Sequence, residues 1–454
     1  MRANLIGFLV VVASVSVTSV VQASDTSATL QPRPGGWLVN SASDIDLPPP
    51  PASDESEINK VRELVRQRSA ADVDRIHWWD AGGPAYRWNE IAIETMLEEF
   101  VTSLPASRNL GLLHAAIDDA VMAASAAQQE VKRLRPSVVD PSIEAALPVP
   151  ESPSFPSENA AAAAAAAGVL GYLFPDRKEM FADRAEEAMR SRLLAGLEYP
   201  SDVDAGRVIG RKMADLAIAR GKSDGSDRKW TGTVPQGRDK WQGSDPIAPM
   251  AGTWQPWVLS RPDEFRPAAP PDIDSAEVRR SLAELKTFKR TPESKHRAAY
   301  WDVFGGARGY SLWNELARMK LLEYGGIFDP RTSARVLAAV NIAYLDATIA
   351  CFDAKYTYWY IRPSQLDPTL ETLFPTPNHP SYPAGNSCVS TAAATVLAEV
   401  FPRDSKRFLA LAKEAGESRI WAGIHYRFDI EAGETVGRQV AEKVLARAFT
   451  DGEE

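Results

Sequence analysis

Apolar residues recur at i, i+3 and i+4 through residues 91–104, 110–124, 336–349 and 392–411, the spacing of one buried helical face. Strand-like alternation is scarce, so the pattern predicts a predominantly α-helical chain. A further helix is expected behind Ser53, with Ile58, Val61, Leu64 and Val65 on one side. Between residues 226 and 295 the periodicity gives way to a stretch rich in Trp, Pro and Gly, with Trp230, Trp241, Trp254 and Trp257. Such a composition predicts an irregular connector that wraps over the helices and is anchored by its indoles, rather than a lid.

The N-terminal region reads differently. Arg2, an apolar run over residues 5–21 and the small-residue sequence Val21-Gln22-Ala23 form a secretory signal over residues 1–23, which implies an exported protein, periplasmic or extracellular. Residues 24–53 are rich in Ser, Asp and Pro, with four prolines in a row from Pro48. They are expected to form an extended, poorly ordered arm within a 24–75 segment that ends in the short helix. No other stretch is expected to be long and apolar enough to span a bilayer.

Setting residues 153–220 against 380–447, at a constant offset of 227 and without a gap, makes 28 of 68 positions identical. Pro153-Ser154-Phe155-Pro156 meets Pro380-Ser381-Tyr382-Pro383, Asn159 meets Asn386, and Ser191-Arg192, Tyr199 and Asp202 meet Ser418-Arg419, Tyr426 and Asp429. Upstream, Asp119-Ala120 meets Asp346-Ala347 and Arg135-Pro136-Ser137 meets Arg362-Pro363-Ser364. Two homologous helical bundles are therefore expected from an internal duplication, over residues 76–225 and 296–450.

The alignment also shows where the halves differ. Lys355 faces Gln128 and His425 faces Glu198, whereas Arg362, Arg419 and Asp429 face residues of their own kind. The second half alone thus gathers three cations, an imidazole and a carboxylate, in a chain with only five histidines. Such a set suits a tetrahedral oxyanion: the guanidiniums of Arg362 and Arg419 offer forks, Lys355 a point charge, and the backbone around Gly385 a helix N-terminus. His425 would bond the central atom, and Asp429, four residues on, would orient the ring. The net charge of −9 gives no basic footprint for nucleic acid, so the partner is expected to be a small molecule. Scattered histidines without His-Glu-x-x-His, and the absence of Gly-x-Ser-x-Gly, argue against a metal-cation hydrolase and a serine hydrolase. Cys351 and Cys388 are the only cysteines, and whether they pair is open at this level, as is the oligomeric state.

Lys355-x6-Arg362-Pro363, Pro383-Ala384-Gly385-Asn386 and Ser418-Arg419-x5-His425-x3-Asp429 resemble the three-part signature of the vanadium-dependent haloperoxidases and type 2 phosphatidic acid phosphatases. The likeness extends to bacterial haloperoxidase-like secreted proteins through Trp88-Asn89, Arg108 and the 114–120 segment. It implies an all-α fold of two pseudo-symmetric four-helix bundles. It also implies that Lys355, Arg362, Gly385 and Arg419 hold vanadate or phosphate, with Asn386 at the same rim. His425 would then be the vanadium ligand or the phosphoryl nucleophile. The implied activity is peroxide-dependent halide oxidation. The alternatives are acid phosphatase activity through a phosphohistidine and a non-catalytic anion-binding role. The second motif departs from the family's Pro-Ser-Gly-His: Ala384 has no side-chain donor and the amide of Asn386 exchanges no proton. Asn386 is instead expected to cap the helix that follows it, and His379 to be a loop histidine.

Overall fold

The computed structural model describes residues 30–39, 49, 55–324 and 329–450. The expected signal and the helix start at Ser53 lie outside the described residues. Helix dominates the described chain, as the periodicity predicts. In order the helices are α1 (Glu55–Gln67), α2 (Ala70–Asp80), α3 (Tyr86–Glu98), α4 (Ser103–Val131), α5 (Pro136–Val139), α6 (Glu158–Leu173), α7 (Lys178–Leu194), α8 (Pro200–Ser223), α9 (Ala276–Thr287), α10 (Pro292–Trp301), α11 (Gly309–Glu323), α12 (Pro330–Tyr358), α13 (Pro363–Leu366), α14 (Gly385–Val400), α15 (Ser405–Ala422) and α16 (Arg427–Ala448).

The two 29-residue helices α4 and α12 lie against each other at the centre. α4 also packs on α6 and α8, and α12 on α14 and α16. Contrary to the sequence expectation, both helices are long and apolar enough to cross a membrane; here 89% and 94% of the relevant windows are buried inside the protein. Their apolarity serves the core. Each ends on a left-handed residue, Lys132 or Trp359, whose N–H returns to the carbonyl of Gln128 or Lys355. This C-terminal stop turns the chain sharply just after position 355.

Small residues let the neighbours approach. The alanines at 160–166 of α6 are all buried, and α16 comes so close to α14 that a Cβ on Gly437 would sit 2.3 Å from the carbonyl oxygen of Cys388. Such proximity at the N-terminal ends of α14 and α16 lets the Ala384 N–H donate to the Asp429 carbonyl at 2.9 Å. Cys351 on α12 and Cys388 on α14 form a buried disulfide, which settles the question left open by the sequence. For the 37-residue separation, loop-closure entropy assigns it about 4 kcal/mol. Reduction without other change is expected to lower the unfolding free energy in urea by that amount.

Two expectations are corrected. Residues 30–39 are extended but not loose: β1 (Gln31–Pro32) pairs antiparallel with β2 (Phe449–Thr450), and the backbone N–H groups of Trp37, Leu38 and Val39 donate to the buried Asp119 carboxylate. Composition could not reveal this, because the partner is a carboxylate about 80 residues away. The connector is not wholly irregular either, since α9 forms at 276–287 behind Ser275, whose hydroxyl accepts from the Val278 N–H. Elsewhere the connector is tied to the helices and also contributes Ile247 to a cavity lined by Gly385 and Arg419. Its Trp257, Val258 and Leu259 N–H groups donate to Asp346 at 2.9, 2.7 and 3.2 Å, and Trp241 is buried.

Candidate functional site

Four chain segments meet at the C-terminal end of α12 and the N-terminal ends of α14 and α16. Lys355 reaches its position from the last turn of α12 and Arg362 from the N-terminal flank of α13. The loop 377–384, with a cis Tyr382–Pro383 bond, passes between them and enters α14. Arg419 comes from the last turn of α15; the left-handed Gly423 then turns the chain back so that His425 precedes α16.

His425 is almost fully buried. Its Nδ1 lies 2.8 Å from Asp429 Oδ2 and its Nε2 lies 3.0 Å from Arg362 Nη1. A carboxylate only accepts and a guanidinium only donates, so Nδ1 carries the proton and Nε2 presents its lone pair. Burial, followed by the charges of Arg362 and Lys355, holds this imidazole well below its ordinary pKa, and the ring is neutral. Asp429 Oδ2 also accepts from the Ser381 hydroxyl at 2.5 Å and the Tyr426 N–H at 3.2 Å. Burial nonetheless raises its carboxyl to about 6, against the pull of Ser381, Lys355 and Arg362.

Arg362 is the hub. It is wholly buried and donates to the carbonyls of His379 and Ile424 at 2.9 and 3.0 Å, to His425 Nε2, and through Nη2 to His379 Nδ1 at 3.1 Å. Burial brings its pKa down to about 10. Lys355 Nζ, also buried, ties down the loop through the Pro380 and Ser381 carbonyls at 2.9 and 2.8 Å, and burial and Arg362 depress it strongly. Arg419 bonds Ser418 Oγ, Asp302 Oδ1 and the Ala298 carbonyl.

Gly385 opens α14, and the residue before it, Ala384, provides no side-chain cap. The corresponding helix α6 is capped by Ser157, which accepts from the Ala160 N–H at 2.9 Å. The amides at the start of α14 are therefore left for another acceptor. The residues aligned with Lys355 and His425 follow the opposite logic. Gln128 donates to the Pro156 carbonyl, and the buried Glu198, whose carboxyl burial pushes up to about 7, lies 3.5 Å from Arg192, so an acidic group already occupies that place.

The structure thus brings all seven sequence-predicted residues to one place and corrects one reading. Asn386 is not the helix cap. It is the second residue of α14, its amide 3.4 Å from the Trp301 carbonyl. His379 is a loop histidine, as expected, and the structure adds where its ring lies: it contacts Arg362 and packs 5.7 Å from the Phe352 ring. Sequence reading also missed Ser381, although Ser154 aligns with it. It missed as well the π-helical turn Asp302–Ala307, which brings Asp302 to Arg419 and Gly305 to Asn386. The Gly305-Gly306 pair was the available signal for that turn.

A cavity of about 470 Å³ opens beside these groups. Arg419, Gly385, Asn386 and His379 line its polar end, and Phe352 and Val389 stand among its apolar walls. The donor set suits a tetrahedral oxyanion: Arg419 and the uncapped start of α14 at Gly385 line the cavity, and Arg362, which contacts both His379 and the unprotonated His425 nitrogen, lies directly behind it.

Comparison with known proteins agrees. Residues 335–446 match the PAP2 superfamily. A non-specific acid phosphatase of Providencia stuartii is 36% identical over 56 residues, which is 12% of this chain and 23% of that protein. One of Salmonella typhi is 37% identical over 57 residues, 13% of this chain and again 23% of the relative. This chain therefore matches about a quarter of the length of those phosphatases. Among solved structures, a bacterial vanadium-dependent iodoperoxidase superposes with a TM-score of 0.61 at 22% identity, covering 86% of this chain and 98% of that one. The apo form of a bacterial vanadium-dependent chloroperoxidase gives 0.54 at 17% identity, covering 76% and 94%. These two share the fold. The match to the PAP2 superfamily lies over residues 335–446, which hold all seven sequence-predicted site residues.

Proposed function

We propose that this chain is an exported, haloperoxidase-like enzyme that binds vanadate at the Lys355–Arg362–Arg419–His425 site and oxidises halide with peroxide. The observation that carries the reading is His425, anchored at Nδ1 by Asp429 at 2.8 Å and held at Nε2 by the Arg362 guanidinium at 3.0 Å. Such a nitrogen is placed to bond the central atom of an oxyanion while the cations and the α14 amides hold its oxygens. When bound, vanadate supplies the Lewis-acidic centre that activates peroxide. This chain contributes the charge and the orientation of His425. The whole-chain likeness to two vanadium-dependent peroxidases supports this reading, as does the internal alignment, in which we read a duplication that kept the reactive set in one bundle only.

A second reading, hydrolysis of soluble phosphomonoesters through a phospho-His425 intermediate, is favoured by the local identity to acid phosphatases and by a cavity roomy enough for the organic part of an ester. The deciding experiment assays the purified protein for bromide oxidation, with and without vanadate, and for phosphomonoester hydrolysis, each beside His425→Ala. Vanadate-dependent oxidation above that background is expected. Hydrolysis alone would remove the peroxidase reading, and activity no higher than His425→Ala in both assays would leave an anion-binding protein without turnover.

A further inference from the structure

Asn386, next to Gly385 at the start of α14, carries an amide that neither gives nor takes a proton. The structure brings an imidazole to the same cavity. His379 is partly buried and lines the pocket together with Gly385, Asn386 and Arg419. Its Nε2 has no hydrogen-bond partner among the described residues, whereas its Nδ1 has two of opposite kind. Arg362 Nη2, a donor, lies at 3.1 Å, and the Pro380 carbonyl, an acceptor, at 3.0 Å.

We infer that His379 transfers the proton in this site: its Nε2 protonates the departing oxygen of a bound phosphomonoester and then takes a proton from the water that releases phosphate. The inference rests on the oxyanion reading above, in its hydrolytic form. Arg362 connects the two histidines. Without an anion, its Nη1 occupies His425 Nε2 and its Nη2 occupies the His379 Nδ1 lone pair. A bound oxyanion competes for the same N–H donors. Their transfer to the anion exposes the His425 lone pair and leaves His379 Nδ1 free to take a proton, from the ester monoanion or water, and donate it to the Pro380 carbonyl.

His379 is then an imidazolium with Nε2–H facing the substrate. In the first step the His425 Nε2–phosphorus bond forms, the ester P–O bond breaks, and the leaving oxygen takes the Nε2 proton. His379 remains neutral, with Nδ1–H on Pro380 and a free Nε2 lone pair. In the second step that lone pair accepts a proton from water as its oxygen bonds phosphorus and the phosphorus–nitrogen bond breaks. The ring ends as it began.

The charged and titratable groups around His379 are Lys355, Arg362, His425, Arg419, Asp302 and Tyr344. Burial, then Lys355 and Arg362, depress its pKa in the free protein; a bound anion reverses the sign of the local field and raises it.

The test is ¹⁵N-histidine NMR of the protein titrated with inorganic phosphate, with signals assigned by their loss in His379→Gln and His425→Ala. Phosphate is expected to move both resonances and to raise the pKa of His379. In parallel, His379→Gln is expected to slow hydrolysis of an alkyl phosphomonoester by about 10²-fold or more. The loss should be much smaller with 4-nitrophenyl phosphate, whose leaving oxygen departs without a proton. Phosphate that moves His425 but not His379, or equal losses on both esters, would overturn the inference and leave the oxyanion site standing. Phosphate that moves neither ring would bring down both.

Discussion

His425→Ala is expected to reduce whichever turnover the protein shows by roughly 10⁴- to 10⁶-fold, the range seen when a nucleophile acting within a set of groups is removed. The affinity for phosphate should change far less, because Lys355, Arg362, Arg419 and the α14 amides remain. Binding and chemistry are thereby separated: calorimetric titration with phosphate reads the first and the rate reads the second. The fold is expected to survive, since Asp429 keeps its bonds from Ser381 and the Tyr426 N–H. A pH profile adds a second readout. A group whose pKa is lowered by burial and neighbouring cations keeps its lone pair at pH values where an ordinary histidine is protonated. The acidic limb assigned to His425 should therefore fall below pH 6.5, the ordinary value for histidine. An unchanged rate in His425→Ala would remove this residue from the reaction.

The second large effect is expected at Arg362, where binding and stability are lost together. Its guanidinium serves the His379 and Ile424 carbonyls and both imidazoles, so Arg362→Ala leaves buried acceptors without donors. Removal also relieves its repulsion of the buried Lys355, which acts in the opposite direction. The first effect dominates, because Asp429 also loses a compensating charge and removal of one member of a buried ionic network costs about 3–5 kcal/mol. Urea unfolding should show that loss, and phosphate affinity should fall by about 10²- to 10³-fold. Arg362→Lys is expected to recover the charge but not the affinity, since an ammonium cannot bridge two rings and two carbonyls with a planar fork. If Arg362→Lys binds phosphate like the parent protein, the hub role is wrong.

Both predictions concern residues that the sequence singles out, yet their partners were decided elsewhere. The period of apolar residues made the helices legible, because a helix buries one face and that requirement is written locally. Lys355, Arg362, Arg419, His425 and Asp429 were legible too: their spacing is set by two helix ends and one turn, and the aligned Gln128 and Glu198 mark which of them are distinctive. His379 was not. It stands among prolines in a loop, and no periodicity fixes where a loop ring points. Asn386 misled for a related reason: asparagine suits a cap, but the chain enters α14 earlier, at Ala384.

The N-terminal segment shows the same division. Its Pro-rich composition indicates an extended chain, which residues 30–39 are. Composition cannot say that Asp119 offers a buried carboxylate to three successive N–H groups there. The sequence by itself determined the helical class, the internal correspondence and the choice of candidate site residues, because these depend on local spacing and residue type. Only the tertiary structure decided that Arg362 joins two histidines, that α14 begins uncapped beside them, and that a cavity of about 470 Å³ adjoins them. Those facts depend on how α12, α14 and α16 pack and on contacts between residues far apart in the chain, such as Ser103 with Tyr344 at a separation of 241, and no local pattern encodes them.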